Sequence, residues 1–160
     1  MDLMVHLFLK RAENEFLLAG KLKELSDSDE ARTFMQIPHD VTFYSGVISH
    51  AYYAIFYATK ALLLTKNIKT SSPDIHRTTL DAFKEHFVDT GILDVRLLDI
   101  YKKLVVRADD LLGIFKHEKQ KRGNFTYKTI PQANKEPAED SLHNAKFFLS
   151  NIRKVIETMG

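Results

Sequence analysis

The chain has 160 residues, 44% of them hydrophobic and 28% charged, with a formal net charge of +2 and no cysteine. That length fits one domain over 1–160 with a core of its own, and the nearly balanced charge excludes a polycation, so any attraction for nucleic acid must come from a local patch. The lack of cysteine excludes disulfide and thiolate chemistry and agrees with a reducing cytoplasm. No run of about 18 uncharged apolar residues occurs, and the apolar N-terminal stretch ends at Lys10 without a small-residue cleavage site, so neither a membrane span nor a secretory leader is expected.

Taken in chain order, the apolar periodicity predicts five helices. Val5, Phe8, Ala12, Phe16, Ala19 and Leu22 mark one face of a helix over 2–25. Residues 26–40, SDSDEARTFMQIPHD, are polar, end with Pro38 and read as a long, mobile connection with at most a short helical turn. The second helix, over 41–66, carries one stripe of Tyr44, Val47, Ile48, Ala51, Tyr52, Ile55, Ala58 and Leu62, and another of Tyr53, Phe56, Tyr57 and Leu64. A helix apolar on more than one side is central in a bundle or lies at a subunit interface, and both are expected here.

Ser72, Pro73 and Asp74 punctuate the start of a third helix, as cap, first position and dipole partner. Leu80, Phe83 and Phe87 form its apolar edge, and Gly91 is its stop. A fourth helix is predicted over 93–119 from Leu97, Tyr101, Leu104, Ala108, Leu111 and Phe115, spaced alternately four and three apart. A fifth begins near Pro137, with Ala138, Leu142, Ala145, Leu149, Ile152 and Ile156 in the same spacing. No segment alternates with period two. An all-α, up-and-down four-helix bundle with one additional helix follows.

Chemistry concentrates between the fourth and fifth helices, in KHEKQKRGNFTYK. Lys116, Lys119, Lys121, Arg122 and Lys128 stand there against one acid, Glu118. The segment reads either as a solvated helix end whose cations complement the dipole or as a phosphate-binding patch. Phe125 and Tyr127 either pack against the bundle or offer faces for stacking on an unpaired base. The seven histidines include no pair at the spacing of a helical metal site, so no metal or other cofactor is expected. His50, inside the most apolar helix, reads as a satisfied core or interface histidine. His76 reads as ordering the start of its helix. Asp109 and Asp110 are adjacent, point in different directions on a helix, and make a poor carboxylate pair.

Three stretches resemble one family. SHAYYAIFYATKALLL from Ser49, HRTTLDAFKEHFVDTG from His76 and RGNFTY from Arg122 stand in the order found in the HEPN family of small all-helical proteins, in its branch of short members. The likeness covers about 41–156. Many relatives are RNA-cleaving toxins that dimerise and act with a small nucleotidyltransferase.

The resemblance implies a toxin-like, RNA-directed protein of a two-component system, with a possible metal-independent endoribonuclease activity. It also implies a homodimer packed through the second and fourth helices. In active relatives an arginine is followed a few residues later by a histidine. The arginine stabilises charge on phosphorus and the histidine moves protons. Arg122 matches the arginine. Tyr127 and Lys128 stand where the histidine would be, and Gly123 replaces the usual polar residue. The implied site therefore has Arg122 and Tyr127 in catalytic positions, with Lys119, Lys121, Asn124, Phe125, Lys128 and His117 binding the ligand. Tyr127 is also the candidate for adenylylation by the partner enzyme. The missing histidine keeps a second reading open, a non-catalytic module that binds a nucleotide or the partner protein.

Overall fold

Asp2 opens the first helix as its side chain accepts a hydrogen bond from the Met4 amide at 2.7 Å, satisfying one of the unpaired N–H groups of the first turn. Helix α1 then runs Leu3–Asp27. The structure, a computed structural model, describes residues 2–115 and 134–159. Val5, Ala12 and Ala19 are buried at every second turn of α1, with Phe8, Phe16 and Leu22 half-buried between them. The predicted face is the one that packs. Its small residues let α1 lie close along the central helix α3, Tyr44–Leu64.

The polar connection between them is folded. Ser28 caps a short helix α2, Asp29–Phe34, by accepting from the Ala31 amide at 3.0 Å. Arg32, only 6% exposed, turns its guanidinium inward. It donates to the carbonyls of Leu25 at 2.9 Å and Ser26 at 2.5 Å and pairs with Asp29. These are orphan carbonyls at the end of α1, and charge-assisted bonds satisfy them. Ser26 accepts from the Phe43 amide at 2.7 Å and Asp27 from the Tyr44 hydroxyl at 2.6 Å, which closes the loop onto the start of α3. The expected mobile linker is thus a stapled element, because one arginine has carbonyls to cap.

Helix α3 buries residues on every side, from Tyr44, Val47 and Ile48 to Ala61, Leu62 and Leu63. It is long and apolar enough to cross a membrane by length and composition, but 67% of its most apolar window is buried among the other helices. Helix α4 runs Ile75–Phe83 and continues as a π-helical turn, Lys84–Val88. It begins two residues later than Pro73, and Asp74 caps it through its carbonyl, which accepts from the Thr78 amide and hydroxyl at 2.9 and 2.7 Å. Gly91 ends the segment at φ 79°, a conformation that suits glycine.

Helix α5 runs Val95–Leu112 and α6 Lys135–Met159. The spacing of four and three predicts α5 out to 119, but Gly113 turns left-handed at φ 63° and ends it. Phe115 still packs, at 6% exposure, because Asp109 accepts from its amide at 2.9 Å and holds the chain against the bundle. On α6 the buried seam is Ala138, Ser141, Ala145, Phe148, Ile152 and Ile156. Phe148 therefore takes the position expected of Leu149, and Leu142 and Leu149 are only half-buried.

Cross-contacts set the directions. Glu13 pairs with Arg153 and Lys23 with Glu139, so α1 and α6 are antiparallel. Arg107 pairs with Asp140 at 2.7 Å, which brings the last turns of α5 to the first of α6. Thr65 meets Met159 at the far end, so α3 and α6 run together. The bundle is up-and-down, with the α4 segment packed on α3, and no strand occurs among the described residues.

Phe83, Tyr101 and Phe148, all fully buried, meet with ring centroids 5.5–5.8 Å apart and tie α4, α5 and α6 together. Truncating the central ring leaves a cavity that three helices cannot fill. Phe148→Ala is expected to cost about 3–5 kcal/mol of stability in a urea titration followed by circular dichroism. A loss below about 1 kcal/mol, the size of a typical surface or conservative change, would contradict this packing.

Candidate functional site

The site residues expected from sequence, His117, Lys119, Lys121, Arg122, Asn124, Phe125, Tyr127 and Lys128, lie outside the described residues, as do Lys116 and Glu118. What the structure provides is the ground on either side of them. Residues 116–133 join the end of α5 to the start of α6, where the C-termini of α1 and α5 and the N-termini of α3 and α6 lie together. Asn134, 1% exposed, opens α6. Arg107 locks the first turn of α6 to α5 through Asp140, through the Ser141 hydroxyl at 3.1 Å and through the Pro137 carbonyl at 3.4 Å.

On the other side the chain leaves from Phe115. Its ring lies 6.5 Å from the His76 ring, and the Arg77 guanidinium sits 5.6 Å above it. His76 is half-buried at the start of α4. Its Nδ1 is 2.7 Å from the hydroxyl of Tyr52, a residue with no exposed surface on the central helix. Phe56 lies against the imidazole at 4.5 Å, and Tyr52 and Tyr53 complete an aromatic collar at 5.6 and 6.2 Å.

This environment sets the protonation states. Burial lowers the His76 pKa below its ordinary value of 6.5; the neighbouring Asp74 carboxylate opposes the shift and the Lys60 ammonium reinforces it. At neutral pH the imidazole is uncharged, and one of its nitrogens carries a lone pair. Burial, with nearby Tyr101 and Tyr53, pushes Tyr52 well above the usual phenol range, so it remains a hydroxyl. Lys60 is lowered by burial and by Arg11. It donates to the Thr70 carbonyl at 3.1 Å and lies 5.2 Å from the Phe8 ring and 6.0 Å from Phe56. Arg77 pairs with Asp74 at 3.9 Å. The Arg77 guanidinium and an uncharged imidazole therefore border Phe115, while Lys60 acts on the imidazole through its charge.

His50 behaves as the satisfied histidine expected of it, bonding Glu15 on α1 at 2.5 Å. Asp109 spends a carboxylate oxygen on the Phe115 amide, a structural use. Among the described residues no cluster of His, Asp and Glu could hold a metal ion. His76 does more than order its own helix start, and sequence alone missed this. Its partner lies 24 positions earlier and follows no periodic pattern. The available signal was a histidine beside a helix crowded with tyrosine.

Set beside known proteins, the chain matches the HEPN domain family over residues 26–155. It is 28% identical over 130 residues to "Putative toxin MJ0605" of Methanocaldococcus jannaschii, an alignment covering 81% of this chain and 84% of the relative. It is 32% identical over 114 residues to "Putative toxin MJ0142" of the same organism, covering 71% of this chain and 66% of that protein. A "UPF0332 protein" of Thermotoga maritima is 31% identical over 112 residues, with 70% of this chain and 72% of the relative aligned.

The depressed His76 pKa has a consequence for stability. Because the folded value lies below the unfolded one, protons favour the unfolded chain. The contribution is complete above about pH 6.5 and is lost as pH falls through the folded value. His76→Asn puts an amide in place of Nδ1 and removes the titration. Its melting temperature is expected to fall less between pH 7 and pH 5 than that of the wild type. An equal or steeper fall in the variant would show that His76 does not carry this dependence.

Proposed function

We propose, on the premise that the chain belongs to the HEPN domain family, that it is the toxin-like half of a two-component system and is directed at RNA. The observation that carries this is the coincidence of family and charge. Two relatives bear the name toxin. The most basic stretch of an otherwise balanced chain, Lys116 to Lys128, falls in sequence between α5 and α6, directly after Phe115, whose ring lies by His76 and Arg77.

Lysine and arginine there would hold phosphate oxygens, with affinity falling steeply as salt rises. Phe125 and Tyr127 would stack on unpaired bases. Arg122 would stabilise the charge that develops on phosphorus during attack by the neighbouring 2′-hydroxyl. Lys119, Lys121, Asn124, Lys128 and His117 complete the binding set. Two copies, packed through α3 and α5, would bring two such segments to one groove, and the protein would work in the cytoplasm.

The test uses end-labelled RNA in excess chelator, with purified protein and its Arg122→Ala variant. Cleavage by the wild type and a loss of about 100-fold or more in the variant is the expected outcome, the scale on which removing a charge-stabilising donor acts. A wild type that binds RNA but never cuts it would favour the second reading, a non-catalytic binding module, for which the absence of a histidine in the few residues after Arg122 speaks.

The partner in this reading is a nucleotidyltransferase, and Tyr127 is its target. Incubation with that enzyme and ATP should add one adenylate mass to the intact protein and none to Tyr127→Phe. An adduct on the Tyr127→Phe variant, or none on the wild type, would remove Tyr127 from this role.

A further inference from the structure

Glycine inside a helix costs stability unless something needs the space, and α1 carries one, Gly20, that its own fold does not require. A Cβ built at Gly20 meets nothing within 4 Å. At Gly46 on α3, by contrast, a Cβ comes within 3.0 Å of Leu22, so the close approach of α1 to α3 accounts for that glycine. Gly20 instead lines an open groove of about 560 Å³ between α1 and α6. We propose that this groove is the docking site for an acidic amphipathic helix of a partner protein, its apolar face on Phe16, Leu17 and Leu149 and its carboxylates against Lys146 and Lys154. The inference goes beyond the RNA-directed reading and does not depend on it.

Shape supports it first. The lining runs from Glu13 to Glu24 on α1 and from Lys146 to Glu157 on α6. At 1.5 Å per residue each wall is about 16 Å long, about three turns of an α-helix. Leu17 is 60% exposed, so its own chain leaves it uncovered, while Phe16 and Leu149 are half-buried beside it. An apolar seam between two polar rims is what the apolar face of an amphipathic helix fits.

Charge selects the occupant. Arg153 pairs with Glu13, and Lys21 with Glu24 at 3.3 Å, so these charges are spent within the chain. Lys146 and Lys154 have no ion pair or hydrogen bond among the described residues. They stand along one side of α6, about 12 Å apart by helical rise, with Ser150 midway. One carboxylate of the lining, Glu157, is likewise unpaired among the described residues. A nucleic-acid strand asks for cations along its path, and here Glu13, Glu24 and Glu157 are interspersed with them. A second copy would bring the same two free lysines with one free carboxylate. A helix with acidic residues about two turns apart along one flank pairs both lysines.

The test titrates isotope-labelled protein with two synthetic helical peptides that share leucines at three- and four-residue spacing. One carries glutamate along a flank, the other lysine. The glutamate peptide should shift the amides of Leu17, Gly20, Leu149 and Ser150. It should bind about tenfold or more tighter than the lysine peptide, the scale of two rim charge pairs. Gly20→Leu puts a side chain into the groove and a better helix former into α1. Its melting temperature should match or exceed that of the wild type, while its affinity for the glutamate peptide falls about tenfold or more.

A second variant needs no change in the groove floor. Lys146→Glu with Lys154→Glu, both at exposed positions, should reverse the preference between the peptides. No shift at the groove, equal binding of the two peptides, or Gly20→Leu binding like the wild type would each overturn the proposal. So would a wild-type dimer in sedimentation that Gly20→Leu dissociates, since a second copy would then hold the groove. None of these results bears on RNA cleavage, so the two readings fail separately.

Discussion

A helix with apolar residues on every side has no face to give to water, and the rest of this molecule follows from that constraint on α3. Thirteen of its 21 residues are buried, which takes a neighbour on each side. Helix α1 covers one flank with alanines that permit close approach, α6 and α5 cover two others, and the α4 segment closes the last. The charged pairs that cross between helices, Arg107 with Asp140 and Arg153 with Glu13, set register at the rim of this arrangement. As partly exposed pairs they add little stability beyond it.

The same constraint accounts for the polar groups inside. Tyr52 must face the core to fill it, and a buried hydroxyl needs a partner. His76 provides one from the start of α4, and the bond draws an imidazole into an apolar collar where it prefers to be uncharged. Packing and chemistry meet in one contact. The tyrosine that completes the central helix also fixes an imidazole that stays uncharged at neutral pH.

Periodicity made the main helices legible because burial is local in sequence. Val5, Ala12 and Ala19, or Leu97, Tyr101, Leu104 and Ala108, announce a face without reference to any other segment. It could not announce where α5 stops. Phe115 keeps the spacing of a helix while Gly113 has already left it, and the deciding contact is the bond from the Phe115 amide to Asp109. Nor could it show that Arg32 folds the polar connection, since that depends on carbonyls set free at the end of α1. At the site, composition revealed the basic stretch around Arg122. The pairing of His76 with Tyr52 joins two elements through a turn and has no pattern in sequence to reveal it.

The proposed function puts RNA at the end of the bundle where α5 gives way to α6, beside Phe115. It does not place RNA in the groove between α1 and α6 lined by Leu17, Gly20, Leu149 and Ser150. The most direct measurement is an NMR titration of isotope-labelled protein with an RNA oligonucleotide made uncleavable by 2′-O-methyl groups. Shifts concentrated on His76, Arg77, Phe115 and the residues that follow it, and weakening with salt, are the predicted result. Shifts confined to the α1–α6 groove, or none at an RNA excess in low salt, would contradict it.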